Sequence, residues 1–246
     1  MSPRRLLATA RRVLTQVAND RRTIALVLIV PIVLETLLRL IYNDNRSVFN
    51  SVGLPMLGIF PLVMMFLIAS ISTLRERTRG TLERLMVMPL SKAEFILGYS
   101  LAFSVVAIVQ AVLVSLVALG PLGLQAAGSH WLIIFVAAIN GLLGMSMGLF
   151  VSSYAKSEFH AVQFMPAIVM PQFLLCGLLV PRGHMQTLLR WASDVLPLSY
   201  AVDAMHTLSA QVSTMGTNFW NSILIVVLFL AASLILGASS LRRSAD

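Results

Sequence analysis

The sequence predicts an all-α integral membrane protein with six transmembrane helices, an N-terminal interfacial helix and an outer re-entrant helical hairpin. Three observations carry that prediction. Of 246 residues, 58% are hydrophobic and only 11% are charged, with a mean hydropathy of +0.87; a soluble domain of this length cannot cover so much apolar surface, so the bilayer is the solvent. Six runs reach the roughly 20 apolar residues needed to cross the hydrocarbon core: Ile24–Tyr42, Gly53–Leu74, Phe95–Leu119, Trp131–Val151, Ala161–Val180 and Phe219–Leu241. Basic residues, finally, crowd the flanks on one side. Fourteen Lys and Arg lie in the N-terminal tract, between Arg75 and Lys92, at Lys156 and at Arg242 and Arg243; three (Arg46, Arg182, Arg190) lie on the other side, and Arg39 inside a span completes the 18. The positive-inside rule then places both termini and the Arg75–Glu94 loop in the cytoplasm.

Each element has its own local grammar. Ahead of the first span, Leu6, Leu7, Ala10, Val13, Leu14 and Val17 recur at helical spacing with Arg4, Arg5, Arg11 and Arg12 off that stripe, which predicts an amphipathic helix on the inner leaflet. The first span is longer than a signal-peptide core and no small-residue cleavage site follows it, so it is expected to remain in the mature protein. Pro55 and Pro61 in the second span, and Pro166 and Pro171 in the fifth, predict kinks or local unwinding. Ser91-Lys92-Ala93-Glu94 reads as a capping box opening the third span. In the fourth, Gly141, Gly144 and Gly148 include a Gly-x-x-x-Gly that permits close helix approach within the subunit. The outer segment Pro181–Asn218 carries two short amphipathic pieces, one marked by Met185, Leu188, Leu189 and Ala192 and one by Tyr200, Ala201, Ala204, Met205 and Leu208. Leu196-Pro197-Leu198 breaks the chain between them, and the scarcity of charge predicts a return into the outer leaflet.

The net charge of +8 is spread in short tracts that flank apolar runs, so it serves topology and anionic lipid rather than nucleic acid. A single cysteine, Cys176 within an apolar run, leaves no intrachain disulfide or thiolate metal site. Four histidines are scattered without metal-ligand spacing, and no Gly-rich phosphate loop ending in Lys-Ser or Lys-Thr occurs. Glu35 and Arg39 stand four apart on the first span and can pair on one helix face; they serve either a translocation path or gate, or as a structural pair with Arg39 snorkelling outward. Phe60, Met64, Met65, Phe164, Met165 and Phe173 surround the prolines of the second and fifth spans, as adaptable side chains suited to an apolar substrate path, to core packing or to lipid contact. Asp203 and His206, with Ser199 and Ser209 close by, are the residues a membrane hydrolase would need.

The most informative stretch is Arg75-Glu76-Arg77-Thr78-Arg79-Gly80-Thr81-Leu82-Glu83-Arg84-Leu85-Met86-Val87-Met88-Pro89. Gly80 allows a turn, Thr81 can cap a short helix with Glu83 in its first turn, and Pro89 ends it. Leu82, Leu85 and Met86 then share one helical face, an apolar surface with no use in a simple reversal unless something outside the membrane grips it.

This stretch, followed by Pro89-Leu90-Ser91, resembles the coupling loop of the ABC-2 family of ABC-transporter permease subunits, especially the short multidrug and antibiotic-resistance type. Cys176-Gly177 with Val180-Pro181, and Leu196-Pro197-Leu198-Ser199-Tyr200-Ala201-Val202-Asp203-Ala204, are similar to two further segments of that family, in the same order against the spans. The resemblance covers essentially the whole chain. It implies a single permease domain over 1–246 with an ABCA/ABCG-like exporter architecture: residues 1–22 as connecting helix, 75–94 as coupling loop, 181–218 as outer segment. It implies two cytoplasmic ABC ATPase subunits on separate chains, which bind ATP and Mg, and a second permease copy, with no catalytic residue or cofactor on this chain. It also implies Glu76, Gly80, Thr81, Leu82, Glu83, Arg84, Leu85, Met86 and Pro89 as the ATPase-coupling residues: Leu82, Leu85 and Met86 the apolar plug, Glu83 and Arg84 its polar rim, Gly80 and Pro89 setting its geometry. The cargo expected is a drug, antibiotic or lipid, in a bacterial inner membrane. Polysaccharide or lipid-linked glycan export, an ion-driven secondary transporter, a membrane enzyme at the outer face and a non-transporting scaffold are the competing readings.

Overall fold

The computed structural model describes residues 3–78, 92–209 and 217–240. These form nine α-helices and a single 3-10 turn: α1 Pro3–Asn19, α2 Arg21–Ile41, α3 Arg46–Thr78, α4 Lys92–Leu119, α5 His130–Ser152, α6 Glu158–Leu175, the turn Arg182–His184, α7 Thr187–Val195, α8 Pro197–Ser209 and α9 Thr217–Ser240. Five of them, α2, α3, α4, α5 and α9, are long and apolar enough to cross a membrane. The remaining expected span corresponds to α6, whose 18 residues include Glu158, His160, Gln163 and Gln172 and fall short by that measure. It stops before the expected Val180 because Gly177 adopts φ +93, in the left-handed region, which ends a helix.

Starts and stops follow from local chemistry. Asp20 separates α1 from α2: its Oδ1 accepts from the Thr23 backbone N–H at 3.2 Å and its Oδ2 from the Thr23 hydroxyl at 2.7 Å, an N-cap. Those hydrogen bonds hold its carboxyl below the usual range. Ser157 caps α6 by accepting from the His160 N–H at 3.2 Å, and α8 begins on Pro197, where the missing N–H costs nothing. Helix α3 runs 33 residues through Pro55 and Pro61, and α6 runs through Pro166 and Pro171, so the expected unwinding at these prolines does not occur.

The core is the α3–α5 pair. Gly144 and Gly148 lie against the Leu62 and Phe66 backbone, and a side chain at either would collide with those carbonyl oxygens; the Gly-x-x-x-Gly is thus a seam between helices of one subunit. Leu54, Leu57, Leu62, Ile133, Val136, Ala137 and Leu143 fill this seam, joined by Leu198, Val202 and Met205 of α8 and by Phe219, Ile223 and Val226 of α9. Of the two outer amphipathic pieces, α8 is therefore the buried one. On α7, Leu188 and Trp191 are 78% and 70% exposed.

Helix α2 sits at the edge and buries only Val27, Pro31 and Glu35, a stripe at four-residue intervals. Pro31 has no N–H for the Val27 carbonyl; Gln110 on α4 supplies one from Nε2 at 3.1 Å, fully buried. The expected Glu35–Arg39 pair does not form. Arg39 Nε donates to the Leu122 carbonyl at 3.1 Å and its Nη1 to the Asn43 carbonyl at 3.3 Å, with the guanidinium 5.6 Å from the Phe49 ring centre. Glu35 is fully buried and neither carboxyl oxygen has a hydrogen-bond partner. Arg39 turns away because carbonyls of the helix-end turns satisfy it where Glu35, deeper in the seam, would leave its remaining N–H groups dry.

Candidate functional site

Two clusters of charge tie the helices together, one at each end of the bundle. The first is at the basic end, where α3 finishes at Thr78 and the stretch read as a coupling loop begins. Helix α1 turns Ala10, Val13 and Val17 inward onto Phe95, Ile96, Tyr99, Ala102 and Phe103 of α4, with Met65 and Ala69 of α3 alongside. Ala10, Val13 and Val17 of its apolar stripe are therefore covered by protein, while Leu7 of the same stripe stays exposed. That packing brings Arg12 to the last turn of α3. Arg12 Nη2 donates to the Tyr99 hydroxyl at 3.0 Å and Nη1 to Glu76 Oε2 at 3.5 Å, with the guanidinium 6.0 Å from the Tyr99 ring centre. Glu76, in the amphipathic loop motif, is only 4% exposed.

The neighbouring residue faces the other way. Arg75 Nε and Nη2 donate to Glu158 Oε1 and Oε2 at 2.7 and 3.0 Å, a bidentate pair that pushes the Arg75 pKa up. Its Nη1 is 3.9 Å from Asp20. The end of α3 is thus clamped three ways, to α1 and α4 through Glu76, to the α1–α2 joint through Asp20 and to the start of α6 through Glu158. A cavity of about 680 Å³ opens between α1 and α3, lined by Ala8, Arg11, Arg12, Thr15, Gln16, Asn19, Arg75 and Glu76. Of the expected coupling residues the structure places Glu76; Gly80, Thr81, Leu82, Glu83, Arg84, Leu85, Met86 and Pro89 lie outside the described residues, as does Ser91 of the capping box. Arg12, Arg75, Tyr99 and Glu158 were missed, being distant in sequence and without a shared pattern.

The path candidates do not gather on one surface. Met65 is fully buried among α1, α4 and α5, a different direction from Met64, as consecutive residues on a helix must be. Phe60, Phe164, Met165 and Phe173 pack half-buried against the main core. The exposed face of α6 is instead Phe159, Val162, Gln163, Pro166, Met170 and Leu174.

At the opposite end, Arg182 bonds to both Asp194, at the end of α7, and Asp203 on α8, and lies 5.3 Å from the Tyr200 ring centre. Burial pushes the Asp203 carboxyl up while Arg182 pulls it back. The Ser193 hydroxyl donates to the Leu175 carbonyl at 2.8 Å and lies 3.0 Å from the Ser199 hydroxyl; Tyr200 donates to the Asp194 carbonyl at 2.7 Å. The left-handed Gly177 permits this, since a Cβ there would press on the Arg182 Cγ at 3.2 Å. The Cys176-Gly177, Pro181-Arg182 and Ser199–Asp203 segments thus form one latch. Asp203 is committed to Arg182 and Ser199 to Ser193, while the Ser209 hydroxyl donates to the His206 carbonyl at 2.8 Å. Arg182→Ala, which strands two carboxylates, is expected to lower the unfolding free energy of the purified chain by about 1–2 kcal/mol, discounted for their partial exposure. A thermal midpoint in detergent, compared with Arg190→Ala as control, reads this.

Comparison with known proteins supplies the family. The chain is 26% identical over 189 residues to the probable multidrug ABC transporter permease YbhR of Escherichia coli K12, covering 77% of this chain and 51% of that protein. It is 26% identical over 205 residues to the probable multidrug ABC transporter permease YbhS of the same organism, covering 80% and 53%. It is also 26% identical over 192 residues to ABC transporter G family member 23 of Dictyostelium discoideum, covering 77% and 27%. The chain therefore spans about half, or less, of the length of these relatives. The profile described as ABC-2 type transporter matches residues 4–209, from α1 through α8. This multi-pass membrane protein belongs to the ABC-2 type transporter family.

Proposed function

We propose that this chain is the permease subunit of an ATP-driven exporter in a bacterial inner membrane, with both termini cytoplasmic. Two ABC ATPase subunits on separate chains bind ATP and Mg and grip the loop after Thr78, and a second copy of this chain completes the translocation path. The chain itself makes and breaks no bonds. The observation that carries the reading is the three-way clamp on the last turn of α3. Force applied to the loop enters α3 at Arg75 and Glu76, and those two residues are fastened to α1, α4, the α1–α2 joint and α6. A loop that only reversed the chain would have no use for such fastening.

The exposed face of α6 supports the second copy. Exposed residues on α2, α4 and α9 are overwhelmingly aliphatic, as lipid requires, whereas α6 exposes Gln163 with Pro166 and Pro171, and each proline frees a carbonyl one turn back. Groups of that kind belong against protein or a water-filled path, not hydrocarbon. The path would run between the α6 faces of two subunits, with Phe159, Val162, Met170 and Leu174 forming its adaptable wall, the half-buried Phe164, Met165 and Phe173 backing it from the core side and Met65 excluded by its burial. A drug, an antibiotic or another amphipathic lipid-soluble molecule fits an apolar wall of that kind, and YbhR and YbhS carry the name of multidrug permeases.

The test is co-purification through a tag on an ABC ATPase from the same genome, co-expressed with this chain. Wild type is expected to be retained and Leu85→Asp, Met86→Asp to be lost at equal membrane insertion. Retention of the double variant would remove the plug from the proposal; failure of wild type to associate would remove the ATPase.

A further inference from the structure

We infer that the cavity between α1 and the end of α3 binds the phosphate headgroup of an anionic phospholipid of the adjacent leaflet. Three observations converge there. The cavity has a wall of donors: the guanidinium of Arg11 and the side-chain amides of Gln16 and Asn19, beside Arg12 and Arg75. Every carboxylate nearby is already engaged. Glu76 is held by Arg12, Glu158 by Arg75, and Asp20 by Thr23. Arg11 differs from its neighbours: it lines the cavity, it is exposed, and among the described residues no carboxylate pairs with it. A cavity with surplus positive charge and several neutral donors suits a phosphate, which offers oxygens to both.

The level of the cavity selects a lipid as the source of that phosphate. Arg75 and Glu76 stand directly after the apolar stretch of α3 that ends at Leu74, and Arg21 and Arg22 open the span of α2. The cavity between them therefore lies at headgroup depth. Leu7, one turn before Arg11, is 59% exposed at the margin of the apolar stripe of α1, placed to enter the acyl region beside a bound headgroup. The N-terminal tract adds Arg4 and Arg5, so a phospholipid approaching from the bilayer meets a positive field before it meets the site. The bound headgroup would brace α1 against α3, so the site bears on the same clamp while standing independently of any ATPase.

Native mass spectrometry of the purified full chain, titrated with phosphatidylglycerol or with phosphatidylcholine, tests this. Wild type is expected to retain phosphatidylglycerol in preference, and Arg11→Gln to weaken that retention by about fivefold, the worth of one arginine at an anionic surface. Arg11→Lys is expected to restore most of it, and Arg190→Gln, at the opposite end, to leave it unchanged. Equal retention of the two lipids by wild type, or retention by Arg11→Gln matching wild type, would overturn the inference. So would displacement of the lipid by millimolar inorganic phosphate, which would make this a site for a free anion. Because Arg11 is exposed, its variants fold, and a common thermal midpoint for all of them verifies it.

Discussion

Gly144→Leu is expected to leave no monodisperse folded protein after detergent extraction, while Gly183→Ala behaves as wild type. A Cβ built at Gly144 overlaps the Leu62 carbonyl oxygen and sits 2.7 Å from its carbonyl carbon and Cα, whereas one at Gly183 meets nothing. Side chains can rotate out of a collision; a helix backbone cannot. One turn further along, Gly148 stands in the same relation to Phe66, with the Phe66 carbonyl carbon and Cα at 3.1 Å. The two helices are therefore in backbone contact over a full turn, and admitting any side chain separates them along the whole seam. Overpacking a core ordinarily costs about 1–3 kcal/mol; here the seam joins α8 and α9 as well, through the cluster that includes Leu198, Met205, Phe219 and Ile223, so separation exposes much of the main core. Gly144→Ala should fold with a clearly lowered thermal midpoint. Fluorescence-detected size exclusion followed by a melt distinguishes the three variants, and a wild-type profile for Gly144→Leu would refute the backbone-contact account.

That seam was legible from residue spacing, because three glycines at intervals of three and four admit little other than close approach. The apolar spans were legible for a similar reason: their length and hydropathy are local properties. What covers an apolar stripe is not local. The α1 stripe of Ala10, Val13 and Val17 was correctly read as one face of a helix, yet only the fold shows Phe95 and Tyr99 lying on it. Glu35 and Arg39 have the spacing of a pair, but the Leu122 carbonyl that takes Arg39 arrives from 83 residues away. The same holds for the clamp, whose Arg12–Glu76 and Arg12–Tyr99 contacts join residues 64 and 87 apart. Pro31 and Gln110 would have been a readable hint, since a proline within a span always asks which donor takes the carbonyl one turn back.

Arg12→Ala is expected to reduce substrate-stimulated ATPase turnover of the transporter, reconstituted with its ATPase in proteoliposomes, by about tenfold, with co-purification intact. Removing the guanidinium leaves Glu76, 4% exposed, beside Tyr99 and the α4 core with no cation. Truncating one member of a buried charge pair costs about 2–5 kcal/mol. The value here is lower, about 1–2 kcal/mol, because Arg12 is itself 36% exposed and the contact is a long 3.5 Å. Under the proposed coupling, that energy holds α3 to α1 against the pull of the ATPase, and losing about 1.4 kcal/mol of it corresponds to a tenfold shift in the population that transmits the motion. The double variant Arg12→Ala, Glu76→Gln separates this mechanism from generic damage. A neutral amide needs no counter-ion, so turnover should recover part of the way towards wild type, and the two substitutions should be non-additive by about 1 kcal/mol. Thermal midpoints of the chain alone should follow the same order, wild type above the double variant and the double variant above Arg12→Ala. Additive losses in turnover, with Arg12→Ala no worse than the double variant, would mean that Glu76 does not depend on Arg12 and that the force takes the Arg75–Glu158 route into α6.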